Sequence, residues 1–129
     1  MKKDIETGSD IRVLVDTFYS RVREDNLLAP VFNEVIKDRW PEHLLKMYGF
    51  WETVLFGSPA YKGSPFPKHA RLPVDQLHFD RWLMLFNQTL DDLFTGEKAD
   101  EAKWRGGKMA EMFMHKIAYF KTHPEKLMS

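Results

Sequence analysis

Cysteine is absent from this 129-residue chain, and with it go disulfides, thiolate metal sites and cysteine nucleophiles. Net charge is absent too: 19 Lys and Arg balance 19 Asp and Glu. With no basic run either, a protein that tracks nucleic-acid phosphates is not expected. No window approaches the ~18 consecutive apolar residues of a membrane span. Lys2 and Lys3 have no apolar stretch behind them, so no signal peptide is visible. The expectation from these absences is a soluble, cytoplasmic, monomeric protein of one domain, without nucleic-acid or membrane partners.

Strand patterning is missing as well, because no stretch alternates apolar and polar residues for long enough. What the chain has is helical spacing and rings. Ten Phe, four Trp and four Tyr make 14% aromatics, more than a small helical core usually needs, so either the core is ring-rich or the rings line something flat. Ile11, Leu14, Val15, Phe18, Tyr19 and Val22 recur in steps of three and four and predict a first helix, capped by Ser9 or Asp10 and ending near Asp25-Asn26. Leu27 to Ile36, containing Pro30, reads as a turn and one or two helical turns. Asp38 is the expected cap of a further helix with Pro41 in its first turn, an apolar face from Leu44 to Leu55, and a stop at Gly57.

The stretch 58–68, with three prolines and one glycine, cannot form a regular helix. Asp75 then caps a helix with Leu77, Phe79, Trp82, Leu83, Phe86, Leu90, Leu93 and Phe94 facing inward. A last helix is expected from Glu97 or Ala99 to Thr122, with Trp104, Met109, Met112, Phe113, Ile117 and Phe120 at helical spacing. Gly106-Gly107 inside it reads as a point of close helix–helix approach. The predicted class is all-α.

Metal-site spacing is not found among the five histidines, His43, His69, His78, His115 and His123: none lies in HExxH, and no two are three to five residues apart. A di-iron bundle needs two Glu-x-x-His pairs, and Asp75-Gln76-Leu77-His78 is a single imperfect copy. There is no Gly-rich phosphate loop and no Gly-x-Ser-x-Gly elbow. His69 stands out, in Pro-Phe-Pro-Lys-His-Ala-Arg-Leu-Pro. It is either an ordinary surface-loop histidine or an axial ligand presented by a rigidified loop, as haem iron takes on its proximal side. Taken singly, His43 reads as a satisfied or half-exposed histidine, Tyr19 as a core tyrosine with its hydroxyl at the edge and Trp82 as packing. Taken together, they are three polar-tipped rings on three helices, and a buried O–H or N–H lacking a partner costs about 1–3 kcal/mol.

From about Asp10 to Phe120 the chain resembles the truncated haemoglobins, and within them group III. The matching pieces are Phe18-Tyr19 with Val22-Arg23, Leu28-Ala29-Pro30-Val31-Phe32-Asn33, Trp40-Pro41-Glu42-His43, Phe50-Trp51, Tyr61-Lys62-Gly63-Ser64-Pro65 leading to His69, and Phe79-Asp80-Arg81-Trp82-Leu83-Met84-Leu85-Phe86. Their order and spacing carry the resemblance. The Gly-Gly pairs usual in groups I and II are missing, which fits group III.

The resemblance implies a two-over-two helical sandwich around haem b. It spans 1–129, with residues 1–8 as an N-terminal extension and 123–129 as a C-terminal tail. It makes His69 the proximal iron ligand, Tyr19 and Trp82 distal hydrogen-bond donors, and His43 a distal residue able to swing toward the iron. Phe32, Met47, Phe50 and Trp51 are expected to pack on or beside the haem. Leu72, Leu77, Leu85 and the Met112–Phe113 turn are expected as proximal or edge wall, and Lys62, Lys68 and Arg71 as partners of the propionates. The implied ligands are dioxygen, nitric oxide, carbon monoxide or peroxide. Charge-assisted donors imply slow dioxygen release, suited to a sensor, scavenger or redox catalyst, with turnover of nitric oxide or peroxide beside a reductase within its scope. The rivals are a bis-histidyl electron-transfer or sensor protein, using His43 and His69, and a haem-free helical interaction domain.

Overall fold

The computed structural model of the protein describes residues 2–61 and 73–123. Helix α1 (Gly8–Glu24) opens with a capping box one turn earlier than the apolar periodicity indicates. The Thr7 hydroxyl accepts from the Asp10 N–H at 3.3 Å, and the Asp10 carboxylate accepts from the Thr7 N–H at 3.0 Å. Ser9 and Asp10 are therefore inside the helix, and the first cap lies outside the apolar stripe because capping needs backbone geometry and not burial. The segment read as an N-terminal extension is packed: Ile5 is buried, and the Lys3 carbonyl accepts from the Thr95 N–H at 3.0 Å.

Helix α2 (Ala29–Ile36) follows a turn closed by the Asp25 carboxylate, which accepts from the Leu27 and Leu28 N–H groups at 3.1 and 3.0 Å. Helix α3 (Trp40–Phe56) starts after Lys37, the positive-φ non-glycine among the described residues (φ 56°). The residue at its N-cap is Arg39, with no side-chain capping bond, so the expected Asp38 cap is not formed. The chain turns at Lys37 instead, and the entry is held by the Trp40 indole N–H, which donates to Asn33 Oδ1 at 3.2 Å. Gly57 ends α3 in the left-handed region (φ 71°), the conformation that glycine adopts without steric cost.

Helix α4 (Gln76–Leu93) begins with the expected Asp75 cap, and α5 (Glu97–Thr122) with Gly96. Asp4 closes that second junction, accepting from the Lys98 and Ala99 N–H groups at 2.9 Å each. Its carboxylate thereby satisfies two of the unpaired donors at a helix N-terminus. The C-terminal tail beyond His123 lies outside the described residues.

The described helices form two pairs, α1 with α3 and α4 with α5, with α1 lying on α4 and α3 touching α5. Phe86, 1% exposed, is the pivot. Its ring stacks between Trp51 of α3 (5.0 Å) and Trp82 of its own helix (5.1 Å), while Phe18 of α1 meets it edge-on at 5.2 Å. Gly106 lets α5 come down on this ring: a Cβ there would stand 2.9 Å from Phe86 Cε2. Gly107 faces open space, so the close approach expected of the pair belongs to Gly106 alone. Trp104, placed by spacing on the inner face of α5, is 57% exposed, its ring beside Arg105 and Lys108 instead. None of the described helices is long and apolar enough to cross a membrane.

Candidate functional site

Between the two helix pairs lies a cleft with about 920 Å³ of empty space, the open solvent at its mouth included. Its walls come from every described helix. Helix α1 supplies Tyr19, α2 Phe32, α3 His43, Met47, Phe50 and Trp51, α4 Trp82, and α5 Phe113. Among the described residues the lining holds no Asp, Glu, Lys or Arg; its titratable groups are Tyr19, His43 and His78.

One wall is an aromatic triangle. Tyr19 meets His43 edge-on at 5.1 Å, and Trp40 meets both, at 5.9 Å from Tyr19 and 5.6 Å from His43. Phe32 stands 6.2 Å from Tyr19 on the cleft side. Such edge-to-face contacts fix ring planes as well as positions. The Tyr19 side chain is 6% exposed, and burial pushes its hydroxyl well above the ordinary tyrosine range, so it is a neutral O–H donor. Neither that O–H nor the Trp82 indole N–H hydrogen-bonds another described residue. Two polar atoms among apolar walls without a partner among the described residues are open to something else in the cleft. An apolar cleft with donors on one wall fits a mostly apolar cofactor carrying a polar ligand.

Tyr19, Phe32, His43, Met47, Phe50, Trp51 and Trp82 all line this one cleft. Leu77 and Met112 do not: they are 59% and 42% exposed and stand outside the cleft lining. On α4 the residue turned to the cleft is His78, held by the cap of its own helix, so neighbouring Leu77 points away. On α5 the faces turned inward carry Met109, Ala110 and Phe113, a rotation that leaves Met112 outside. Leu85 is buried in the helix core instead of lining the cleft. Lys62, Lys68, His69, Arg71 and Leu72 lie outside the described residues.

Sequence reasoning missed Leu28, Val31, Val74, His78, Phe79, Met109, Ala110 and Ile117 as site residues, which also line the cleft. His78 had a signal. Asp75-x-x-His is a capping-box spacing, and the Asp75 N–H donates to His78 Nδ1 at 3.2 Å while Nδ1 lies 3.0 Å from Asp75 Oδ1. Read only as a fragment of an iron motif, it gives no hint of the cleft.

The segment between Tyr61 and Pro73 has described ends that stand at this cleft. Tyr61 packs edge-on against Phe50 at 5.2 Å, its N–H donating to Thr53 Oγ1 at 2.9 Å, and Val74 lines the cleft from the other end.

The family model for bacterial-like globins matches residues 4–118. The chain is 32% identical over 127 residues to a group 3 truncated hemoglobin of Campylobacter jejuni, covering 95% of this chain and all of that one. A group 1 truncated hemoglobin of Nostoc commune is 38% identical over 73 residues, covering 54% of this chain and 58% of the other. The crystal structure of the group III truncated hemoglobin from Campylobacter jejuni superposes with a TM-score of 0.83 at 33% identity, covering 91% of this chain and 95% of that one.

Proposed function

We propose, from the premise that the chain belongs to the bacterial-like globin family and is a haem-binding truncated haemoglobin most like group III, that its cleft takes haem b with His69 as iron ligand and binds dioxygen and other diatomic ligands. The observation that carries this reading is the convergence of Tyr19, His43 and Trp82, from three different helices, on one otherwise apolar cleft. Haem supplies an iron coordination position at which a diatomic molecule binds.

The chain's own residues supply the rest. Phe32, Phe50, Trp51 and Met47 offer the apolar surface that holds a porphyrin and keeps water out. Tyr19 O–H and Trp82 N–H are donors held in place before any ligand arrives, so they stabilise a ligand carrying partial negative charge without reorganising. In a low-dielectric cleft each such bond contributes on the order of 1.5–3 kcal/mol. His43, braced by the Tyr19 and Trp40 rings, is a third polar group on the same wall.

Optical spectra of the purified, haem-loaded protein test this. Five-coordinate ferrous haem that changes spectrum with dioxygen and carbon monoxide is expected, and His69→Gly should lose or loosen the haem. A low-spin ferrous spectrum indifferent to dioxygen would select the bis-histidyl alternative with His43 and His69. A protein that remains colourless with haem present would leave only a helical interaction domain.

A further inference from the structure

We propose that His78 anchors the haem by hydrogen-bonding one of its carboxylates through Nε2, an inference that rests on the haem reading above. His78 lies in the first turn of α4 and lines the cleft beside Val74 and Phe79. Its Nδ1 is engaged by Asp75, accepting from the backbone N–H at 3.2 Å and standing 3.0 Å from Oδ1. A neutral imidazole whose Nδ1 accepts carries its proton on Nε2. A protonated imidazole pairs Nδ1–H with the Asp75 carboxylate and again carries a proton on Nε2. In the neutral state that closes the capping box and in the protonated state alike, the remaining nitrogen is a donor, and the cap fixes the plane in which it donates, as a carboxylate partner fixes a ligating histidine. The neutral tautomer with its proton on Nδ1 would donate to Asp75 Oδ1 and give up the bond from the Asp75 N–H that closes the box.

The position selects the acceptor. The His78 side chain is 18% exposed, whereas Tyr19 is 6% exposed, so His78 belongs to the rim and Tyr19 to the interior. A porphyrin places its apolar rings inside and its two carboxylates where water reaches them. A donor at the rim faces a carboxylate; an iron ligand has to reach the interior. The described lining holds no Lys or Arg, which leaves His78 as its group able to carry positive charge at that rim. A capping role alone does not account for the choice of residue, because Glu or Gln at the third helical position closes a capping box as well or better and has no need of a ring turned into a cleft.

The test compares full-length protein loaded with haem or with haem dimethyl ester, in which both carboxylates are blocked, and follows release to excess apomyoglobin. His78→Glu keeps a capping-box partner for Asp75 while setting a carboxylate against the haem carboxylate. It is expected to release haem about tenfold faster than wild type, and the ester at the wild-type rate. His78→Gln retains both the cap and an N–H donor and is expected to release haem at a rate near wild type. Equal rates for wild type and His78→Glu with haem, or equal acceleration with haem and ester, overturns the anchor. So does a shift of the Soret band in His78→Glu, which assigns the ring to the iron. Wild-type protein that takes up neither compound overturns the haem reading itself, an outcome distinct from these.

Discussion

Arg81 Nη1 donates to Asp25 Oδ1 at 2.6 Å, tying the turn between α1 and α2 to the helix that carries Trp82. The same carboxylate accepts from the Leu27 and Leu28 N–H groups, so one side chain closes the turn and docks it. Leu28, which follows that turn, and Trp82 both line the cleft, so the clasp holds two of its lining elements together. Asp25→Ala removes three bonds and leaves three donors, two of them backbone N–H groups, short of this partner. It is expected to cost about 2 kcal/mol in urea unfolding. Asp92, whose bond to Arg21 is more exposed, is the control: Asp92→Ala should cost under about 1 kcal/mol.

The two adjacent glycines of α5 should respond in opposite directions. Gly106→Ala puts a methyl 2.9 Å from the Phe86 ring, which is itself stacked between two tryptophans and has no room to yield. Overpacking of this kind costs about 1–3 kcal/mol. Gly107→Ala meets nothing within 4 Å and gains helix propensity, worth about 0.5–1 kcal/mol. Thermal and urea denaturation of the two variants should bracket the wild type.

Acid should loosen the clasp at the N-terminal ends of α1 and α5. The Lys3 ammonium beside Asp10 is the largest influence on its carboxyl, and with the Glu6 and Thr7 N–H bonds it outweighs burial and lowers the pKa to about 2. In Asp4 and Asp25 burial alone would raise the carboxyl. The Lys98 and Ala99 N–H bonds to Asp4, and Arg81 with the Leu28 and Leu27 N–H bonds to Asp25, more than offset it and hold both below 3.8. A carboxyl depressed in the folded state stabilises fully above its unfolded pKa and loses that contribution as pH falls through the folded one. Tm should therefore be flat down to about pH 4 and fall from there toward pH 2. Asp10→Asn should start lower and fall less steeply across the same interval.

Removing a distal donor should speed ligand escape. Tyr19→Phe keeps the ring contacts with Phe18 and His43 and deletes only the O–H. Stopped-flow dioxygen dissociation is expected to rise about ten- to a hundredfold. Trp82→Phe deletes the indole N–H and part of the stack on Phe86, so its off-rate should rise with some loss of stability. Unchanged off-rates in both variants would falsify the donor role of this wall.

Local patterning was enough for the helices. Steps of three and four, Gly57 as a stop, Asp75 as a cap and the boundaries of α5 were all legible, because each depends on neighbours within about one turn. Two caps were misplaced, at Thr7 and Arg39, where the helix begins ahead of or without the polar residue nearest the apolar stripe. Periodicity also over-assigned the interior. Leu77, Met112 and Trp104 share helical spacing with buried residues yet lie outside, since a stripe more than one residue wide leaves the rotation of the helix undecided.

The sequence by itself determined an all-α chain with an excess of rings and, through the order of its motifs, its family. Tyr19, His43 and Trp82 were already named there as polar tips in need of a partner. Only the tertiary structure decided which rings became core and which became wall. Phe86 sits sealed between two tryptophans, while Phe32, Phe50 and Phe113 face the cleft. Only packing, too, turned His78 into the cleft and Leu77 away from it. The reason is that a side chain's local propensity is set within a turn of helix, whereas its exposure is set by which other helix arrives opposite. That arrival depends on contacts between residues far apart in the chain, such as Gly106 beneath Phe86 and Arg81 against Asp25.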